Sequence, residues 1–198
     1  MDTKLRLECP VLENERIRLE PMKQEDAPGL FAISSPDIWA FMLRKVETEE
    51  EMYQWVREAV ANCHKGTALP FVVLLKESNQ VAGTTRLLGI DMEQRCCELG
   101  STWYSVPFQR SFVNSDVKKL LLTYCFEELQ FIRVQLKTDE RNIRSQKAIE
   151  RLGAVKEGII RNERILSNGY IRNAILYSIT SGEWPTVKQG FIERESTY

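Results

Sequence analysis

One histidine stands in the sequence, His64, and that count restricts the available chemistry more than any motif does. A serine–histidine–acid triad could use it only beside a nucleophile, and no Gly-x-Ser-x-Gly elbow is present. A zinc centre built on several histidines is impossible, and Cys9, Cys63, Cys96, Cys97 and Cys125 show no Cys-x-x-Cys spacing. These thiols are expected to be reduced and mostly small core residues, with no metal site. Cys96 and Cys97 are adjacent on a strand, so they face opposite sides and make no unstrained disulfide. His64 falls at a helix end, where a polar residue is the plainer reading. What remains is chemistry by backbone groups and an imported cofactor. The segment Pro107-Phe108-Gln109-Arg110-Ser111-Phe112-Val113-Asn114-Ser115 follows a strand and opens a helix. A helix start of this kind presents free N–H groups and the positive dipole end to an anion. Arg110, Ser111, Asn114 and Ser115 would add side-chain donors there. A water or a cap at the same place fits the spacing equally well, so both uses stay open.

The elements that must position such a site follow from periodicity. The chain has 198 residues, 43% of them hydrophobic and 28% charged, which is the composition of a globular protein. With no linker, repeat or low-complexity run, residues 1–198 are expected to form a single domain. The 27 basic against 28 acidic residues argue against a nucleic-acid coat. No apolar run approaches the roughly 18 residues of a membrane span, and Met1 to Leu7 carry no targeting run, so a cytoplasmic protein is expected. A strand is predicted over Arg16–Glu20, with helical segments over Gln24–Ser34 and Pro36–Leu43. Thr48-x-x-Glu51 has the spacing of a capping box, and Met52, Trp55, Val56 and Ala59 repeat on one helical face behind it. Three antiparallel strands follow, Pro70–Leu75, Val81–Ile90 and Cys96–Tyr104. Val113, Val117, Leu120, Leu121 and Tyr124 mark the next helix. Phe131–Thr138 is then a strand on the alternation of Ile132, Val134 and Leu136, and a helix runs from Asn142 to Leu152 with Gly153 as its left-handed cap. Gly158–Leu166 and Ile171–Thr180 pair through Asn168-Gly169 as a closing hairpin. The fold class is therefore α/β, with a mixed, mostly antiparallel sheet. The crossover over residues 96–138 places its two strands parallel, and the ligand rule for such sheets points to Trp103–Ser115.

The order of these pieces resembles the GCN5-related N-acetyltransferase (GNAT) superfamily, in its RimJ/RimL-like branch. The likeness covers about residues 12–188. It rests on Leu12-Glu13-x-x-Arg16-Ile17-Arg18-Leu19, Glu98-Leu99-Gly100, Gln109-Arg110, Asn142-x-x-Ser145-x-x-Ala148-x-x-x-Leu152-Gly153-Ala154 and Glu183-Trp184-Pro185. The resemblance implies a sheet splayed between the strands ending near Tyr104 and Thr138, with acetyl-coenzyme A in the opening. Its pyrophosphate would meet the backbone of Arg110, Ser111, Phe112, Val113, Asn114 and Ser115. Its pantetheine arm would pair like a strand with Trp103, Tyr104 and Ser105, and Asn142 and Ser145 would lie near the sulfur. The implied reaction is transfer of acetyl to a primary amine, either a protein N-terminus or a small molecule, by direct attack. Trp39 and Thr102 would face the acceptor. A homodimer is possible; nucleic acid, membrane and metal are not implied.

Two positions depart from the family pattern. The phosphate loop usually carries two glycines where this chain has Phe112 and Asn114, which implies an altered loop with Asn114 as a side-chain contact or cap. The tyrosine used as general acid in many members is replaced by Ile149; RimL-like enzymes place a serine where Ser145 stands, and the resemblance implies that residue as the acid. The glutamate base aligns with Arg164. Glu163 is one residue off and, by strand alternation, faces the other way. Glu98 acting through water is the alternative base, against a structural pairing with Arg86 or Arg95. A catalytically weak acyl-coenzyme A binding module of the same fold is the competing reading.

Overall fold

A computed structural model describes residues 8–195; Met1 to Leu7, read above as free of a targeting run, lie outside them. Strands β1 (Leu12–Glu13) and β2 (Ile17–Pro21) open the chain, and a single helical turn leads into α1 (Ala27–Ala32). A short turn of 3-10 helix over Pro36–Trp39 precedes α2 (Glu49–His64). The long predicted helix over 36–43 is absent; Pro36 starts a turn that ends after four residues. Thr48 caps α2 as its spacing required. Its Oγ1 accepts from the Glu51 amide at 3.2 Å, while the Glu51 carboxylate accepts from the Thr48 amide at 3.1 Å.

Strands β3 (Ala68–Leu75), β4 (Val81–Asp91) and β5 (Cys96–Tyr104) form the expected antiparallel run. Helix α3 (Phe112–Thr123) continues through one wider turn, Tyr124–Glu128, to β6 (Arg133–Asp139). Helix α4 (Ile143–Arg151), strands β7 (Val155–Ile165) and β8 (Ile171–Thr180) and helix α5 (Trp184–Glu195) complete the order. The eight strands make one sheet in the order β1-β2-β3-β4-β5-β6-β8-β7. Only β5 and β6 run parallel. Val134 and Leu136 are buried as their alternation predicts, but Ile132 precedes β6 and is 45% exposed, with Phe131 buried in its place.

Alternation along the strands divides the core between the two faces of the sheet. Leu69, Phe71, Val73, Leu87, Leu99 and Tyr104 face α3, α4 and α5. Val72 and Trp103 face α1 and α2. Gly153 closes α4 at φ +95°, the left-handed cap expected of it. Gly83 serves close approach instead. A Cβ there would meet the Trp103 carbonyl oxygen at 2.2 Å, so glycine lets β4 close on β5. Among the described residues no helix is long and apolar enough to cross a membrane.

Candidate active site

The two parallel strands pair only at their beginnings, Cys96–Glu98 against Arg133–Gln135. Beyond Glu98 they part, although β5 runs on to Tyr104 and β6 to Asp139. A β-bulge sits at the parting. Arg86 faces Gly100 and Thr84 faces Trp103, so β5 spends one extra residue there, and Ser101 takes φ +48°. The unpaired edge of β5 therefore offers backbone groups to an extended ligand.

Trp103, Tyr104 and Ser105 are buried along this stretch. The Ser105 amide is spent on Ala82 O at 2.9 Å, and Tyr104 O accepts from Gln109 Nε2 at 3.0 Å. The Tyr104 hydroxyl is buried without a partner, and burial pushes its pKa up.

Helix α3 starts at the mouth of the opening. Arg110 turns the chain at φ +60°, and Ser111 caps the helix. Ser111 Oγ accepts from the Val113 amide at 3.3 Å and donates to Phe108 O at 2.7 Å. Asn114, expected as a possible cap, lies inside the first turn, and Phe112 is already helical. That position has no need of glycine's left-handed freedom, which removes the conformational objection to Phe112. The Arg16 guanidinium sits over the Phe112 ring at 4.5 Å and grips Asp116 through Nε at 2.9 Å. Asn14 Nδ2 donates to the same carboxylate at 3.0 Å. Asp116, fully buried, thus ties α3 to the turn between β1 and β2 and brings a cation to the helix start.

Across the opening, Asn142 caps α4: its Oδ1 accepts from the Ser145 amide at 3.0 Å. The Asn-x-x-Ser spacing is thereby explained locally, with Ser145 half-buried in the first turn of the helix. Arg141 pairs with Asp139 and lies over Tyr170 at 3.8 Å, whereas Arg144 and Arg151 are exposed.

A chain of charges runs from Glu98 on β5 to β7 and β8. Glu98 is partnered by neither Arg86 nor Arg95; Lys137 Nζ lies 2.9 Å from its Oε2, and Gln135 Nε2 donates to it at 3.2 Å. Lys137 also reaches Glu163 at 3.4 Å, and Arg172 joins Glu163 at 3.5 Å. Alternation predicts that Glu163 faces away. It does not, because β7 is bulged: Ile160 and Arg164 pair with Ala174 and Arg172, four steps against two, and Asn162 adopts φ +52°. Arg164 is exposed, with its side chain 51% accessible.

Nothing in the sequence marks Lys118 as a site residue. It lies inside α3 with its ammonium 2.9 Å from Thr102 Oγ1, which also pairs with Thr85 Oγ1 at 2.7 Å. Burial pulls its pKa down to about 7. Thr102, expected to face the acceptor, thus turns toward α3, because the bulge shifts the alternation by one residue and puts Trp103 on the other face. Trp39, also expected at the acceptor, is 3% exposed and packs on Trp55 and Trp103.

Known proteins share this arrangement. Residues 16–155 match the acetyltransferase (GNAT) domain. An uncharacterized N-acetyltransferase, p20 of Bacillus licheniformis, is 27% identical over 178 residues, 87% of this chain and 97% of that protein. The crystal structure of a GCN5-related N-acetyltransferase from Brucella melitensis is 27% identical, with a TM-score of 0.87 over 95% of this chain and 86% of the other. RimL, a ribosomal L7/L12 α-N-protein acetyltransferase, shares the fold at 18% identity and TM-score 0.77, over 86% of this chain and 94% of its own. With its parted parallel strands and its matched domain, the chain belongs to the GNAT acetyltransferase family.

Proposed function

We propose that this chain transfers the acetyl group of acetyl-coenzyme A to a primary amine by direct attack. The observation that carries the reading is the opening between β5 and β6 with the capped start of α3 at its mouth. The residues fit coenzyme A. The first-turn amides of α3 and the cation of Arg16 suit a pyrophosphate, and the edge of β5 that β6 leaves unpaired beyond Glu98, toward Trp103–Ser105, suits the amide-bearing pantetheine arm. The bound thioester supplies an activated acyl group.

The chain's own residues then divide the work. Arg110 to Ser115 hold the phosphates, and Asn142 and Ser145 flank the sulfur end, where Ser145 gives its hydroxyl proton to the departing thiolate. Glu98 takes the proton of the amine through water, with Lys137 setting the carboxylate's orientation and Glu163 steadying Lys137. Direct attack needs no acyl-cysteine, and Cys97 and Cys125 are buried against each other at 3.8 Å. The proposed acceptors are a protein N-terminus, as in the RimL-type relatives, or a small amine, in a cytoplasmic setting.

The test is thiol release from acetyl-coenzyme A in the presence of an amine panel comprising amino acids, polyamines and N-terminal peptides. Amine-dependent thiol release is the expected result. Binding without release for any amine would favour a non-catalytic acyl-coenzyme A module.

A further inference from the structure

On the α1/α2 face of the sheet, four buried N–H groups in and around one tryptophan cluster have no hydrogen-bond partner. Arg86, on β4, is 8% exposed, and its Nε and one terminal nitrogen have no hydrogen-bond partner. The indole nitrogens of Trp39 and Trp103 are likewise buried and unpartnered. The three tryptophans contact one another, with Trp39 and Trp103 centroids 5.5 Å apart and Trp55 and Trp103 centroids 6.3 Å apart. Arg86 lies 3.6 Å over the Trp55 ring. That stacking satisfies the flat face of the guanidinium. It leaves the in-plane edge unsatisfied, because an in-plane N–H cannot donate to a ring beneath it.

Burying an unpaired cation among apolar rings is costly, and structures keep such groups where a partner completes them. Burial pulls the Arg86 pKa from 12.5 to about 9, opposed by the carboxylate of Glu58, so the group stays charged at neutral pH. Glu58 does not complete it: that carboxylate is on exposed α2 surface and is held by Arg44 at 2.8 Å.

We infer that Arg86, Trp39 and Trp103 form a binding site for the carboxylate of the acetyl acceptor, which makes the preferred acceptor an amine that also bears a carboxylate. The inference rests on the acetyltransferase reading for the word acceptor, but the site stands on its own geometry. The Nε edge of a guanidinium presents two parallel N–H groups matched to the two oxygens of a carboxylate. Arg86 pairs with Gly100 at the start of the bulge, and Trp103 lies on the parted half of β5. Between Trp103 and Glu98 on this face stands Gly100, which has no side chain to block the path. A carboxylate held at Arg86 therefore leaves its amine to extend along β5 toward Glu98. The Pro36–Trp39 turn brings Trp39 onto this cluster, and its flanking Ser35 hydroxyl is likewise buried without a partner. A polyamine is disfavoured by the same buried cation.

Three of the four tryptophans line this site, so intrinsic fluorescence reads it directly. The full-length protein is titrated with 4-aminobutanoate and 6-aminohexanoate, with butylamine and hexylamine as matched amines lacking the carboxylate, and with inorganic phosphate. The expected result is a saturable change with the amino acids only, weakened roughly tenfold or more in Arg86→Gln. Equal responses to the matched amines, response to phosphate alone, or an unaffected Arg86→Gln would overturn the inference. Arg86→Met covers the case in which the Gln variant does not fold. A melting temperature above wild type supports a guanidinium kept for a ligand, and one below it marks a structural group and counts against the site. Coenzyme A is titrated separately. Coenzyme A binding without a carboxylate response removes only this site, and a carboxylate response without coenzyme A binding removes only the acetyltransferase reading.

Discussion

Asn142 spends its side-chain oxygen on the amide of Ser145, so its replacement has two separable effects. Asn142→Ala should lose about 1 kcal/mol of stability through the cap, read by denaturant titration. It should also weaken turnover, which the cap alone would not. Ser145→Ala should lower kcat by roughly 10²-fold at nearly unchanged coenzyme A affinity, and an unaltered kcat would exclude its role as acid. Glu98→Gln should lower kcat at nearly unchanged coenzyme A affinity, whereas a merely structural Glu98 would change stability and leave kcat intact. Lys118 makes a pH-dependent prediction. Its folded pKa near 7 lies below the ordinary 10.5, so between those values the unfolded chain binds more protons and stability rises with pH. Lys118→Met should therefore be more stable than wild type below about pH 7, with the advantage shrinking to nothing by about pH 10.5. Urea melts at a series of pH values check it, and a constant difference would mean that the Lys118 pKa is the same folded as unfolded, so that burial does not lower it.

At the scale of elements, α3 is aimed by its tie to the first hairpin rather than by its loop sequence. Asp116→Ala should cost about 2 kcal/mol, since it removes the buried carboxylate that Arg16 and Asn14 share, and should weaken coenzyme A binding by letting the helix start shift. Equal affinity in a correctly folded variant would separate the tie from the site. What sequence can foresee also divides at this scale. The α2 cap, the antiparallel run, the β5–α3–β6 crossover and the Gly153 cap follow from short-range periodicity and turn chemistry, and the structure has them. Alternation misplaces Glu163 because it holds only on an unbulged strand, and the left-handed Asn162 has no unique signature in sequence. Thr102 faces the other way for the same reason, through the bulge at Ser101. Lys118 reads as an ordinary helix-surface lysine until α3 is laid against β5. Helix α5 is not foreseeable, since Pro185, Gly190 and its charged residues blur the apolar stripe that buries Trp184, Val187 and Phe191.

For the whole molecule, the sheet joins two functions on its two faces. The α3 face carries the capped helix start proposed for the phosphates and holds the parted strands on a continuous apolar core. The α1/α2 face holds the charges of Glu98, Lys137 and Glu163 beside a tryptophan cluster. Direct transfer requires both partners to meet through the opening between β5 and β6, and that makes coenzyme A binding the condition on which everything else depends. The deciding measurement is calorimetric titration of the full-length protein with acetyl-coenzyme A and with coenzyme A. Micromolar binding of both, at one site per chain, is the predicted result, despite Phe112 in place of glycine. Heats no different from dilution for both ligands would contradict the account.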